Sequence, residues 1–261
     1  MLMMDLPLIE PRGDSAAQRQ SDARRLRGAA LSACAFLALL WWIHLFQHFF
    51  GEFPALALYP RSLAGSIGIL TAPLLHGSFE HLVSNSLPLL LLITLSLLVV
   101  PRAAKRGFVL IWLLSGLLVW LFARDSGHIG ASGIDHGLMF FLFVIGIARR
   151  DRPAVAAALI AFFMYGGMVL SILPNDPQIS WEYHLGGALA GTLSALLWRR
   201  LDPAPARKHY DWEDDDQDAA AGSDDPLEPA RPDDVPVLWQ RPQAPTGQIL
   251  PFPKRPPPRN E

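Results

Sequence analysis

The feature that most constrains this chain is a succession of apolar runs that no soluble globule of its size can bury. They cover Gly28–Phe50, Leu82–Val100, Gly107–Ala123, Gly137–Ala148, Pro153–Leu173 and Leu185–Trp198, the fourth and sixth being short. At about 1.5 Å per helical residue, the longer runs cross a ~30 Å hydrocarbon core. Hydrophobic residues make up 51% of the chain and charged residues 18%, below the roughly 25% charged of an average soluble domain. The first run is too long, and begins too late, for a cleaved signal peptide, and further runs follow it. The predicted fold class is an all-α polytopic membrane protein of six spans. With Cys34 as the single cysteine, a disulfide-stapled secreted fold is excluded.

Charges between the runs set an orientation. Arg102, Lys105 and Arg106 follow the second run, Arg149, Arg150 and Arg152 the fourth, and Arg199 and Arg200 the sixth. The opposite loops carry Arg61 and Arg124 beside Glu52, Glu80, Asp125, Asp176 and Glu182. The positive-inside rule then predicts both termini in the cytoplasm, with Gly51–Glu80 and the loops around Ser126 and Pro174 facing outward. Three regions result: a cytoplasmic N-terminal segment at 1–27, a transmembrane domain at 28–200 and a tail at 201–261. Residues Asp202–Glu261 hold 13 of the 24 acidic residues and 13 of the 23 prolines. Such a composition buries too little apolar surface to offset ordering, so the tail is expected to be disordered. Val235–Trp239 is its one short docking-motif candidate. The net charge of −2 sums a basic body and an acidic tail, and no nucleic-acid partner is expected.

Polar and ionisable groups within spans are costly and are functional candidates by default. Counting outward from the arginines that anchor each span, Ser132 falls roughly 5 Å and His184 roughly 8 Å below the outer hydrocarbon edge. His81 lies near that edge, with Asn85 one turn deeper on the same face. Three spans therefore bring serine, histidine and asparagine to one layer. Helices that begin below the surface need cover from protein or a water-filled cavity, which implies a watered pocket. Gly133 and Gly137 form a G-x-x-x-G face beside Ser132, and Gly187 and Gly191 form another beside His184. Such faces allow close backbone approach, and if they meet, Ser132 meets His184.

A serine hydroxyl attacks only when a neighbouring base takes its proton. His184 can take it and return it to the leaving amine. His136 is a rival base, but an i,i+4 pair seldom reaches an attacking geometry, which favours His184. Asp135 is expected to face away from Ser132, leaving no acidic third member. Donors for an oxyanion are available in the Asn85 amide, a His81 N–H and the Ser132 backbone N–H at a helix start.

At these residues the chain resembles the rhomboid family of intramembrane serine proteases. The matching motifs are Gly130-Ala131-Ser132-Gly133 (G-x-S-G), His76…His81…Asn85 (H-x4-H-x3-N) and His184…Gly187…Gly191, over roughly Pro54–Arg200. The resemblance implies a Ser132–His184 dyad that cleaves single-pass membrane proteins near the outer face. It also implies His81 and Asn85 as oxyanion donors, and access through movement of span five and the loop before His184. The expected setting is the lipid bilayer, as an integral protein of a bacterial inner membrane. One position departs from the family: the residue four after the serine, commonly an aromatic packed on the catalytic histidine, is His136, preceded by Asp135.

Other readings are weaker. An inactive rhomboid-like binding protein usually lacks the serine or the histidine, and both are present. A histidine-rich metal or haem protein would use His44 and His48, yet their spacing also suits an interfacial belt beside Trp41 and Trp42. H-G-S-F-E-H has one residue too many for an inverted zinc-protease motif. No cofactor and no metal is expected. A transporter is disfavoured because the polar residues cluster on one side instead of crossing the membrane.

Overall fold

The computed structural model describes residues 16–203 apart from 175, 177 and 178. Residues 204–261 of the expected 201–261 tail, its Val235–Trp239 motif and residues 1–15 lie outside the described residues. Six long helices run through the described chain: α1 (Ala16–Phe50), α2 (Phe79–Val99), α3 (Pro101–Phe122), α4 (Ser132–Arg149), α5 (Arg152–Tyr165) and α6 (Trp181–Trp198). α1 begins at Ala16, so the helix runs through the basic residues that precede the first apolar run. The fifth run is also divided. α5 stops at Tyr165 and the chain continues as a 3-10 segment, Gly166–Ile172. The segment between α1 and α2 is built from short helical turns, and a single backbone bridge joins Leu58 to His128.

Length and apolarity allow five of these segments to cross a membrane, α5 counting together with its 3-10 continuation. α6 is the exception, because its first turn reads Trp181-Glu182-Tyr183-His184. It is also strongly enclosed, packing on α4 and α3. α4 is the centre of the bundle: 61% of its apolar window is buried, against 17% for α1 and for the α5 segment. The outer helices turn Phe163, Phe122 and Phe49 outward, an apolar exterior suited to hydrocarbon rather than water.

Local chemistry fixes the helix ends. Ser78 caps α2 by accepting from the His81 N–H at 3.1 Å, and Asp151 caps α5 by accepting from the Ala154 N–H at 2.9 Å. The start of α3 is capped from across the chain. Asp202, just past α6, accepts the N–H groups of Arg102 and Ala103 at 3.0 and 2.9 Å, where an anion satisfies orphan donors. Arg149 donates to the carbonyls of Arg199 and Asp202 at 3.0 and 2.8 Å. These bonds tie the arginine-bearing end of the bundle together. The first two turns of α2 and the first turns of α4 and α6 lie at the other end, and they carry His81, Asn85, Ser132 and His184.

Candidate active site

Ser132 stands where it does because of the turn before it. Gly130 has φ +109°, and a Cβ there would sit 2.5 Å from Cε1 of His81. Only glycine meets both demands. The Gly130 N–H donates to the Ala72 carbonyl at 2.9 Å, which fastens the turn to the segment before α2. Ser132 is the first residue of α4, so its N–H has no intrahelical acceptor.

α6 meets α4 along the two glycine faces. A Cβ on Gly187 would lie 2.0 Å from the Gly133 carbonyl oxygen, and one on Gly191 would lie 1.9 Å from that of Gly137. Gly137 also receives Ile111 of α3, and Gly133 receives the Tyr183 ring. The loop before α4 steadies the start of α6. His128 Nδ1 lies 2.6 Å from Ser180 Oγ, Arg124 pairs with Glu182 at 3.4 Å and donates to the Ile179 carbonyl at 2.6 Å.

This contact brings Ser132 and His184 together. His184 Nε2 is 2.9 Å from Ser132 Oγ, and its Nδ1 is 3.0 Å from the Ser171 carbonyl oxygen. A carbonyl only accepts, so the ring hydrogen belongs on Nδ1 and the Nε2 lone pair faces the hydroxyl. That is the tautomer a general base requires. His136 does not reach the Ser132 hydroxyl. Its Nδ1 lies 2.7 Å from the Ser132 carbonyl oxygen, and its ring stacks on His184 at 3.9 Å and 10°. It therefore occupies the packing place that an aromatic was expected to take. Asp135 is buried, its Oδ1 without a partner among the described residues, and a backbone carbonyl holds the His184 Nδ1 position.

The other polar group is assembled around α2. The His81 ring lies against Gly130 and 5.1 Å from the ring of His76. Asn85 is buried, and its Nδ2 has no partner among the described residues. His76 is buried, and among the described residues its ring has the Leu74 backbone as its one polar neighbour of hydrogen-bonding kind, while its N–H donates to Gln47 Oε1 of α1 at 3.2 Å. Burial, reinforced by His81 and His44, pushes His76 down from the ordinary 6.5 to about 3. His48 packs edge-on against Phe49, and His44 faces the His76 side of the bundle. Among the described residues no cluster of three or more His, Cys, Asp or Glu side chains is suited to a metal ion.

Sequence reasoning missed Ser171, whose contribution to His184 is a backbone oxygen, and Tyr183, whose aromatic ring needs Gly133. The glycine at 133 was the available signal for the second. No side-chain pattern signals the first.

A membrane-embedded helical bundle with a serine and a histidine in hydrogen-bond contact at one end is the class that fold and site define. A family model for the rhomboid domain matches residues 64–201, more than half of the chain, and the chain belongs to the rhomboid family. It is 35% identical over 183 residues to uncharacterized proteins of Mycobacterium tuberculosis and Mycobacterium bovis, covering 66% of this chain and 75% of theirs. An uncharacterized protein of Mycobacterium leprae is 33% identical over 154 residues, covering 54% of this chain and 58% of its own. No solved structure matches the chain. Rhomboid proteins are generally intramembrane serine proteases, and this chain is an integral membrane protein of that protease-like kind.

Proposed function

We propose that the protein is an intramembrane serine endopeptidase that cleaves single-pass transmembrane substrates near the outer membrane face. The observation that carries this reading is the 2.9 Å contact between Ser132 Oγ and His184 Nε2. Ser132 Oγ attacks the scissile carbonyl carbon as its proton passes to His184 Nε2. The same proton then goes to the leaving amine, and water, deprotonated by His184, releases the acyl group from Ser132. The imidazolium formed at His184 keeps its Nδ1–H on the Ser171 carbonyl. The oxyanion is received by the Asn85 amide, His81 and the free N–H of Ser132, where the start of α4 favours negative charge.

The arginine distribution supports both termini in the cytoplasm and the dyad toward the outer leaflet of a bacterial inner membrane. On this reading α6 is the sixth span, its polar first turn shielded by α3 and α4, and 28–200 is the protease domain. An intact serine–histidine contact favours an enzyme over an inactive binding protein, and the reaction as written uses no metal or cofactor.

The test is labelling of the purified full-length protein with a fluorophosphonate, alongside cleavage of a model transmembrane substrate. Native protein should be labelled at Ser132. Ser132→Ala should lose both labelling and cleavage, by roughly 10⁴-fold or more, while remaining inserted, and EDTA should leave native cleavage intact. Native turnover in Ser132→Ala would overturn the mechanism.

A further inference from the structure

Ser171 and His136 repeat the geometry of Ser132 and His184. His136 Nε2 is 2.9 Å from Ser171 Oγ, as His184 Nε2 is 2.9 Å from Ser132 Oγ. Each histidine also places its Nδ1 on the carbonyl of the other pair's serine: His184 on Ser171 at 3.0 Å, His136 on Ser132 at 2.7 Å. The two rings lie face to face at 3.9 Å. Two serines and two histidines thus close a ring of four hydrogen bonds across α4, the 3-10 segment and α6.

The hydrogens in this ring can be assigned by donor capacity. The Ser132 carbonyl only accepts, so the 2.7 Å contact puts a hydrogen on His136 Nδ1. In the neutral ring Nε2 is then an acceptor and needs the Ser171 hydroxyl hydrogen. The competing acceptor for that hydrogen is the Met168 carbonyl, 2.8 Å from Ser171 Oγ and 3.1 Å from His136 Nε2. Donation to Met168 would require Nε2–H instead, and a neutral ring would then set the bare Nδ1 against a carbonyl at 2.7 Å. A doubly protonated ring would set a buried cation against the one ring that must accept a proton. The neutral ring accepting from Ser171 leaves only the longer carbonyl contact, Nε2 to Met168 at 3.1 Å, without a hydrogen, and puts no cation beside His184.

We infer that Ser171 and His136 are a second serine–histidine unit that positions the first. It holds the Ser171 carbonyl where His184 Nδ1–H needs it and fixes the tautomer of both rings. Seven-residue 3-10 segments are uncommon because their hydrogen-bond geometry is poor, so Gly166–Ile172 needs an outside tether, and His136 provides it from α4. A phenyl ring at 136 would keep the stacking and lose the tether. The inference rests on reading Ser132 and His184 as the dyad. Neither Ser171 nor His136 touches the scissile bond.

The experiment measures kcat and KM for one transmembrane substrate in Ser171→Ala, His136→Phe, the double variant and Ser171→Thr. Turnover is expressed per Ser132 titrated by fluorophosphonate, so misfolded protein drops out of the rate. Each single variant should lose about tenfold in kcat, the worth of one buried hydrogen bond, with KM within about twofold. The double variant should be no slower than the slower single, because both break one unit. Ser171→Thr, which keeps the hydroxyl, should regain most of the rate. Native kcat in Ser171→Ala, or multiplied losses in the double variant, would overturn the inference while Ser132→Ala stays inactive. Labelling of Ser171 in Ser132→Ala would also overturn it, by making Ser171 a nucleophile in its own right. If Ser132→Ala keeps native turnover and native protein is not labelled, the dyad reading itself has failed.

Discussion

Two pairs of histidine rings lie beside the Gly130–Ser132 turn, and they are built in opposite ways. His136 and His184 stack in parallel at 3.9 Å, and all four ring nitrogens have partners. His76 and His81 meet edge to face at 5.1 Å. Around His76 only the Leu74 backbone offers its ring a hydrogen bond, and the neighbouring Asn85 Nδ2 has no partner among the described residues. The first pair has spent its hydrogen-bonding capacity in the resting protein, and the second has kept it. On the proposed reading this division follows the reaction. A base must be aligned before the proton moves, whereas oxyanion donors act on charge that appears only in the transition state.

The strongest way to break the comparison is to remove a donor that has no resting partner. Asn85→Ala should lower kcat by roughly 10²–10³-fold with KM little changed, the usual cost of one oxyanion donor. Because Nδ2 makes no bond in the resting protein, the thermal midpoint in detergent should hardly fall. A large fall in the midpoint with kcat intact would make Asn85 a structural residue and remove the contrast between the two pairs.

A smaller effect is expected where the two halves of the dyad are pressed together. Gly187→Ala puts a methyl 2.0 Å from the Gly133 carbonyl oxygen, which forces α4 and α6 apart. Overpacking of this kind costs about 1–3 kcal/mol, and since the glycine lies one turn below His184, turnover should fall with stability. Gly28 in α1 has nothing within 4 Å of the same position, so Gly28→Ala should be neutral or stabilising by up to about 1 kcal/mol. Chemical denaturation of the two variants in the same micelle checks the pair. Equal stabilities would mean that the glycine contact does not hold Ser132 to His184.

What the sequence disclosed and what it concealed divide along the same line. Hydropathy revealed the helices, because a hydrocarbon exterior demands long apolar runs whatever the tertiary arrangement. Paired glycines revealed the meeting of α4 and α6, because backbones approach that closely only without Cβ atoms. The 3-10 segment stayed hidden, since Gly166–Ile172 is as apolar as the helix before it and only hydrogen bonding ends α5 at Tyr165. The hold on His184 stayed hidden because its acceptor is a main-chain oxygen, which every residue carries. His136 was legible as a departure from the family's aromatic, but its bonds to the Ser132 carbonyl and Ser171 arise from tertiary packing. His76 was legible as a motif residue, yet its backbone N–H is held by Gln47 of α1, outside the motif.

His76 supplies the effect that separates the two pairs by pH. Its imidazole is held down to about 3 by burial, with His81 and His44 adding to the shift, while the unfolded chain titrates near the ordinary 6.5. Below 6.5 the unfolded state therefore binds a proton that the folded state refuses. Stability from this group is fully present above 6.5 and is lost as pH falls toward 3, at about 1.4 kcal/mol per pH unit where only the unfolded form is charged. Burial also lowers His128, which adds to the slope of the native protein in the same direction. The difference between native protein and His76→Gln isolates His76. Thermal midpoints measured from pH 7 to pH 5 should fall more steeply for the native chain than for the variant, the curves converging as pH drops. Parallel curves would show that His76 exchanges its proton equally in both states. Its burial would then not set this pair apart from the stacked one.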